Sequence, residues 1–266
     1  MEAKFIIDII RTTANMYRLG WDERNAGNIS LLLDEDEAGV YLNTGKVIRT
    51  FNLECNAIEL TGKIFLVTGT GKYFKNIQYN PEENLGIVRI GKDGKSAELL
   101  WGFSGGGSPT SEFSVHLMCH IARLKVNPAN RIIMHAHPSN LIAMTYVHSI
   151  NEKDFTRTLW QLCIEGILVF PEGIAVLPCM LCGTNEIAEA TAKKMEEFRL
   201  VVWAHHGIFG AGNTIDEAFG LLETAEKAAE IHIKTMQMPR INNVSDAQII
   251  ALAEKWNVTY RKNWLE

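Results

Sequence analysis

Two short apolar runs constrain this chain more than any other feature: RIIMHAH at 131–137 and LVVWAHHG at 200–207. Both read as strands, and both end in histidine. In a strand, side chains at i and i+2 point to the same face, so His135 and His137 project together while Ala136 faces the other way. Two neutral imidazoles so placed reach one ion at the roughly 2.0–2.1 Å that zinc prefers. They stand at the carboxyl end of their strand, where α/β sheets place ligands. Spacing alone leaves an alternative open, a pair of polar strand-end residues bonded to loops, because H-x-H is a short pattern.

The second run adds weight to the metal reading. His205 and His206 are adjacent, so they face opposite sides of a strand and at most one joins the same site. Gly207 behind them lets the backbone turn closely. Three histidines from two strand ends make a tripod with a coordination position left open, the mark of a catalytic site. His116 and His120 lie four apart on one helix, so an i, i+4 metal pair is formally available. His120 shares the apolar face, however, which favours a core or interface role. His148 and His232 stand alone and carry no signal.

The remaining pattern predicts a mixed α/β layered domain with helices packed on a sheet. Helices are expected at about 4–19, 108–125, 151–165, 184–198 and 214–238, with a further short one near the C-terminus. Ser or Thr at 108–111 is placed to cap the second of these. Strands are expected at 28–35 and 63–69, and ILVFPEG is expected to be a strand that breaks at Pro171. Residues 85–102 read as a hairpin with Asp-Gly in its turn. No repeat or linker interrupts the 266 residues, so 1–266 is expected to be a single domain.

Composition removes several function classes. A net charge of −5 gives no sign of a nucleic-acid or membrane-surface binder. The longest apolar runs, GILVF and RLVVWA, fall far short of the roughly 20 residues that span a bilayer. The N-terminus reads as an amphipathic helix and not a signal peptide, which predicts a cytoplasmic protein. The five cysteines are odd in number and irregularly spaced, and no second pair completes the C-x-x-C of Cys179 and Cys182. Reduced thiols are expected.

Two carboxylates and three turns complete the candidate set. Glu112 follows three glycines and opens a helix, where a carboxylate serves either as a cap or, near a metal, as an acid or base. Glu165 precedes an apolar run and has the same two readings. The turns are 22–30 with Asn25, Gly27 and Asn28, 67–76 with Thr70, Gly71 and Lys72, and 105–112 with Thr110 and Ser111. Small residues let backbone N–H groups approach a phosphate, and hydroxyls and amides add donors. The GTGK of 69–72 is not a Walker A motif, since Tyr73 follows the lysine.

Taken in order, WDERNAGNIS, FLVTGTGKYFKN, PTSE, IMHAHPSNLIAMTY, LVFPEGIAVLP and WAHHGIFGAGNTIDEAFGLLETAEKAA resemble the zinc-dependent class II aldolases. That family also holds sugar-phosphate 4-epimerases and the adducin head. The resemblance runs from about residue 5 to 240, with 36–60 departing most. It implies a central, largely antiparallel sheet flanked by helices and a homotetramer with active sites between subunits. It implies one zinc per subunit, held by His135, His137 and His206. Glu112 carries over as the acid/base beside the metal, and Glu165 as a second carboxylate reaching a neighbouring subunit's site. Gly27, Asn28, Thr70, Gly71, Thr110 and Ser111 carry over to the phosphate site, and Asn25 to a place near the reacting carbons.

The implied reaction is reversible cleavage of L-rhamnulose 1-phosphate to dihydroxyacetone phosphate and L-lactaldehyde through a metal-stabilised enediolate. The epimerases share the histidine tripod but carry a different acid where Glu112 stands. A non-catalytic scaffold like the adducin head would lose the metal histidines.

Overall fold

A computed structural model describes residues 3–265. Its nine strands are β1 (Asn28–Leu33), β2 (Arg49–Asn52), β3 (Ile64–Thr68), β4 (Leu85–Ile90), β5 (Ser96–Gly102), β6 (Ile132–Ala136), β7 (Ala175–Leu177), β8 (Leu200–Trp203) and β9 (Gly207–Gly212). They form one sheet in the order β2-β5-β4-β3-β1-β6-β9-β8-β7. Every pairing is antiparallel except β7 with β8.

Successive residues of the central strands feed two different cores. In β3, Ile64 and Leu66 enter the larger cluster while Phe65 and Val67 enter the smaller one. In β1, Leu31 and Leu33 go one way and Leu32 the other. Both faces are covered, which is why these strands read as continuous apolar runs and not as alternation. Helices Lys4–Leu19 and Ile215–Thr235 contribute to the larger cluster, and helix Phe113–Val126 presents Phe113 and Leu117 to the smaller.

Several sequence expectations are corrected. ILVFPEG is not a strand: Gly166–Val169 is a helical turn packed against Trp160 and Phe170. The helix expected from 108 begins at Phe113, and no Ser or Thr side chain caps it. Three strands were not expected. β2 and β7 are only four and three residues long. β9, GIFGAG, is half glycine, which masks the strand preference of Ile208 and Phe209. Its glycines answer to tertiary packing: a Cβ on Gly210 would lie 2.3 Å from Leu222 Cδ1 of the helix crossing it.

Candidate active site

Strand register builds the histidine cluster. β6 lies between β1 and β9, with His135 opposite Asn28 on one side and Phe209 on the other. The strand expected through 200–207 ends at Trp203, so His205 and His206 stand in a tight turn and not on opposite faces of a strand; His206 N–H closes the turn by donating to Trp203 O at 3.0 Å. His205 takes φ +66° in this turn and faces solvent against Tyr146. His206 turns the other way, its ring centroid 5.2 Å from that of His135 and 4.8 Å from that of His137. Ligand atoms of His135, His137 and His206 all lie within 4.8 Å of one another.

The hydrogen bonds of the first two rings aim them. His135 Nδ1–H donates to Ile208 O at 3.0 Å, and His137 Nδ1–H donates to the Glu23 carboxylate at 2.8 Å. Each ring therefore carries its proton on the δ nitrogen and presents an ε lone pair, and the two ε nitrogens stand 3.2 Å apart. Two facing lone pairs repel unless a cation lies between them. Two nitrogens each about 2.0–2.1 Å from a tetrahedral ion would be separated by about 3.3 Å, so the residues present fit a divalent metal. Burial, then the neighbouring rings, holds His135 well below the ordinary histidine range. Burial and His137 lower His206 to about 4. Both rings are thus neutral and available as ligands at physiological pH. Gly207 makes the approach possible, since a Cβ there would lie 2.5 Å from Ala136 O and 2.8 Å from His137 Cδ2.

Glu112 occupies the N-cap position of helix Phe113–Val126, yet its side chain makes no capping bond. Thr110 Oγ1 accepts the Glu112 N–H instead, at 3.3 Å. The carboxylate turns inward, accepts from Asn28 Nδ2 at 2.8 Å and lies 3.7 Å from His135 Nε2. Burial raises Glu112 to about 7, against the opposing pull of the Asn28 bond. A carboxyl group poised near neutrality beside a metal-binding cluster can both take and return a proton.

The three polar turns are knitted into one unit next to this group. Thr70 N–H donates to Ser108 O and Thr110 N–H to Thr68 O, each at 2.9 Å, joining the second turn to the third. Asp22 joins the first to the second: its two oxygens accept from Gly27 N–H at 3.0 Å and Phe74 N–H at 3.1 Å. Gly27, Asn28 and Thr110 are buried, whereas Asn25, Thr70, Gly71 and Ser111 are exposed. Lys72 is paired with Glu83 at 3.0 Å. Glu165 is not among these residues; it stands exposed before helix Gly166–Val169 and lines a separate cavity with Trp21, Cys163, Glu226 and Glu230.

The sequence model of the class II aldolase and adducin N-terminal domain family matches residues 7–233. The chain belongs to the class II aldolases. It is 52% identical over 266 residues to a rhamnulose-1-phosphate aldolase of Listeria monocytogenes, covering 100% of this chain and 97% of that protein. It is 51% identical over 267 residues to a rhamnulose-1-phosphate aldolase of Enterococcus faecalis, covering 100% and 96%. Among solved structures, a sugar-phosphate aldolase from Thermotoga maritima superposes with a TM-score of 0.76 at 30% identity, over 89% of this chain and 97% of that one.

As a class II aldolase the chain is a metal-dependent lyase, and its three histidines are the group that could hold the ion. Sequence reasoning missed three side chains that this aldolase places at the site. Asp22 and Glu23 lie within WDERN, but their roles depend on Phe74 and His137, which are remote in sequence. His116 looked like core filling; it is fully buried, and it bonds Asn28 Oδ1. All five cysteines are free thiols, as expected. No helix among the described residues is long and apolar enough to cross a membrane.

Proposed function

We propose that this class II aldolase is zinc-dependent and reversibly cleaves L-rhamnulose 1-phosphate into dihydroxyacetone phosphate and L-lactaldehyde, in L-rhamnose breakdown in the cytoplasm. The observation that carries the reading is the set of inward ε nitrogens of His135 and His137, with His206 beside them and the half-buried Glu112 carboxyl 3.7 Å from His135. The names of the relatives at 51–52% identity support the substrate. His135, His137 and His206 hold one zinc per subunit, and the metal supplies a Lewis acid for the ketone oxygen. Glu112 moves the proton at the hydroxymethyl carbon of dihydroxyacetone phosphate, taking it in synthesis and returning it in cleavage. Gly27, Asn28, Thr70, Gly71, Thr110 and Ser111 bind the phosphate, whose remote binding energy fixes the reacting end. Asn25 lies next to the reacting carbons.

The assembly is a homotetramer with sites between subunits, and residues 1–266 act as one domain. The exposure of Glu165, apart from its own chain's histidines, supports its reaching the site of a neighbour. The test is cleavage of L-rhamnulose 1-phosphate, coupled to reduction of released dihydroxyacetone phosphate, with and without a chelator. Fast, chelator-sensitive cleavage that outpaces L-fuculose 1-phosphate is expected. No cleavage by zinc-loaded protein overturns the reading.

A further inference from the structure

Behind Glu112 lies a row of buried polar side chains, of which the phosphate site accounts only for Asn28. Asn28 and Ser30 are i and i+2 on β1, and His116 and His120 are i and i+4 on the helix packed over it. Ser30, His116 and His120 are each 0% exposed. Ser30 Oγ lies 2.8 Å from His120 Nε2 and 2.7 Å from His116 Nδ1. His116 Nε2 lies 2.5 Å from Asn28 Oδ1, and Asn28 Nδ2 lies 2.8 Å from Glu112 Oε2.

The proton positions follow from the two ends. At the inner end, His120 Nδ1 is buried with no partner. A proton there would be an orphaned donor in the core, so His120 carries it on Nε2 and donates to Ser30. The Ser30 hydroxyl is then free to donate to His116 Nδ1, which places the His116 proton on Nε2, facing Asn28 Oδ1. At the outer end, an ionised Glu112 only accepts, so the Asn28 amide must present its N–H₂ to it and its oxygen to His116. Both ends demand the same direction. Burial keeps both rings neutral, lowering His116 to about 3 and His120 well below the ordinary range. Apolar side chains would fill this space without the desolvation cost of four polar groups.

We propose that His120, Ser30 and His116 form a one-way hydrogen-bond chain that locks the Asn28 amide with its N–H toward Glu112, which makes His116 a positioning residue for the proton-moving carboxylate. The inference rests on the role proposed above for Glu112. Successive bonds in such a chain polarise one another, so the donor offered to Glu112 is both oriented and strengthened.

Two measurements test it. The first is a set of two-bond ¹H–¹⁵N spectra of histidine-labelled, zinc-loaded protein, with the His116 signals assigned by their loss in His116→Gln. The Nε2–H tautomer is expected at His116; the Nδ1–H tautomer or a charged ring overturns the proposal whatever the activity proves to be. The second is a pair of substitutions. His116→Phe keeps the ring and removes the donor, whereas His116→Gln keeps a donor near the Nε2 position. The first should lower kcat about 10-fold or more, with KM within about twofold and zinc content unchanged, and the second should recover most of the loss. Equal impairment of the two, or wild-type kcat in His116→Phe, overturns it. A failure of the Glu112 role is distinguished by normal turnover in Glu112→Gln, which leaves the tautomer result standing.

Discussion

At the scale of single residues, the site depends on opposite consequences of the same burial. Burial favours the neutral form of every titratable group. For His135 and His206 that form is the one that ligates a metal. For Glu112 it raises the carboxyl to about 7, where a proton moves on and off near neutral pH. Glu112→Gln keeps the shape and the Asn28 contact but removes the titrating group. It should retain bound metal and lose roughly 10²–10⁴ in turnover. Turnover and metal content measured on the same preparation check this, and normal turnover refutes the role. Alanine at His135, His137 or His206 should instead strip metal and activity together.

At the scale of elements, close backbone approach does most of the positioning. β9 packs so tightly on β6 that Gly207 has no room for a side chain, with Ala136 O 2.5 Å and His135 Cε1 3.1 Å from where a Cβ would lie. Gly207→Ala must therefore displace the two rings or the strand pairing. Metal affinity should fall about 10- to 100-fold while the circular dichroism spectrum is kept. Metal retained after dialysis is the readout, and full retention contradicts the predicted crowding. The three polar turns depend likewise on ties between elements, above all the two N–H groups held by Asp22.

At the scale of the whole molecule, one nine-stranded sheet covered on both faces leaves little water near its central histidines. His116, His120, His135 and His206 all titrate below their ordinary value of 6.5, His116 near 3 and His206 near 4. As pH falls below 6.5 the unfolded chain takes up these protons and the native one does not, so stability is lost. Burial raises Asp22 and Glu112 to about 7 from 3.8 and 4.5, and these two act in the opposite direction. His232 is lowered as well, and burial also raises Glu223 and Glu226 by smaller amounts, so five histidines stand against four carboxyl groups and the histidines outweigh them. Metal-free protein should show a lower urea midpoint at pH 5 than at pH 7, and an equal or higher midpoint at pH 5 rules this balance out.

The amino-acid sequence by itself determined the long helices, the hairpin at 85–102 and the shared face of His135 and His137. Each of these follows from local periodicity or from the geometry of adjacent residues. It did not determine β9, whose glycines are set by the helix that crosses it and by the close approach of β6, or the helical turn at Gly166–Val169, whose apolar run reads equally as strand. Nor did it separate a capping Glu112 from one turned toward His135, because the choice depends on Asn28, 84 residues away. Asp22, Glu23 and His116 lacked a local signal for the same reason. A hydrogen bond that orients a functional side chain has no period along the chain, so only the tertiary structure decides it.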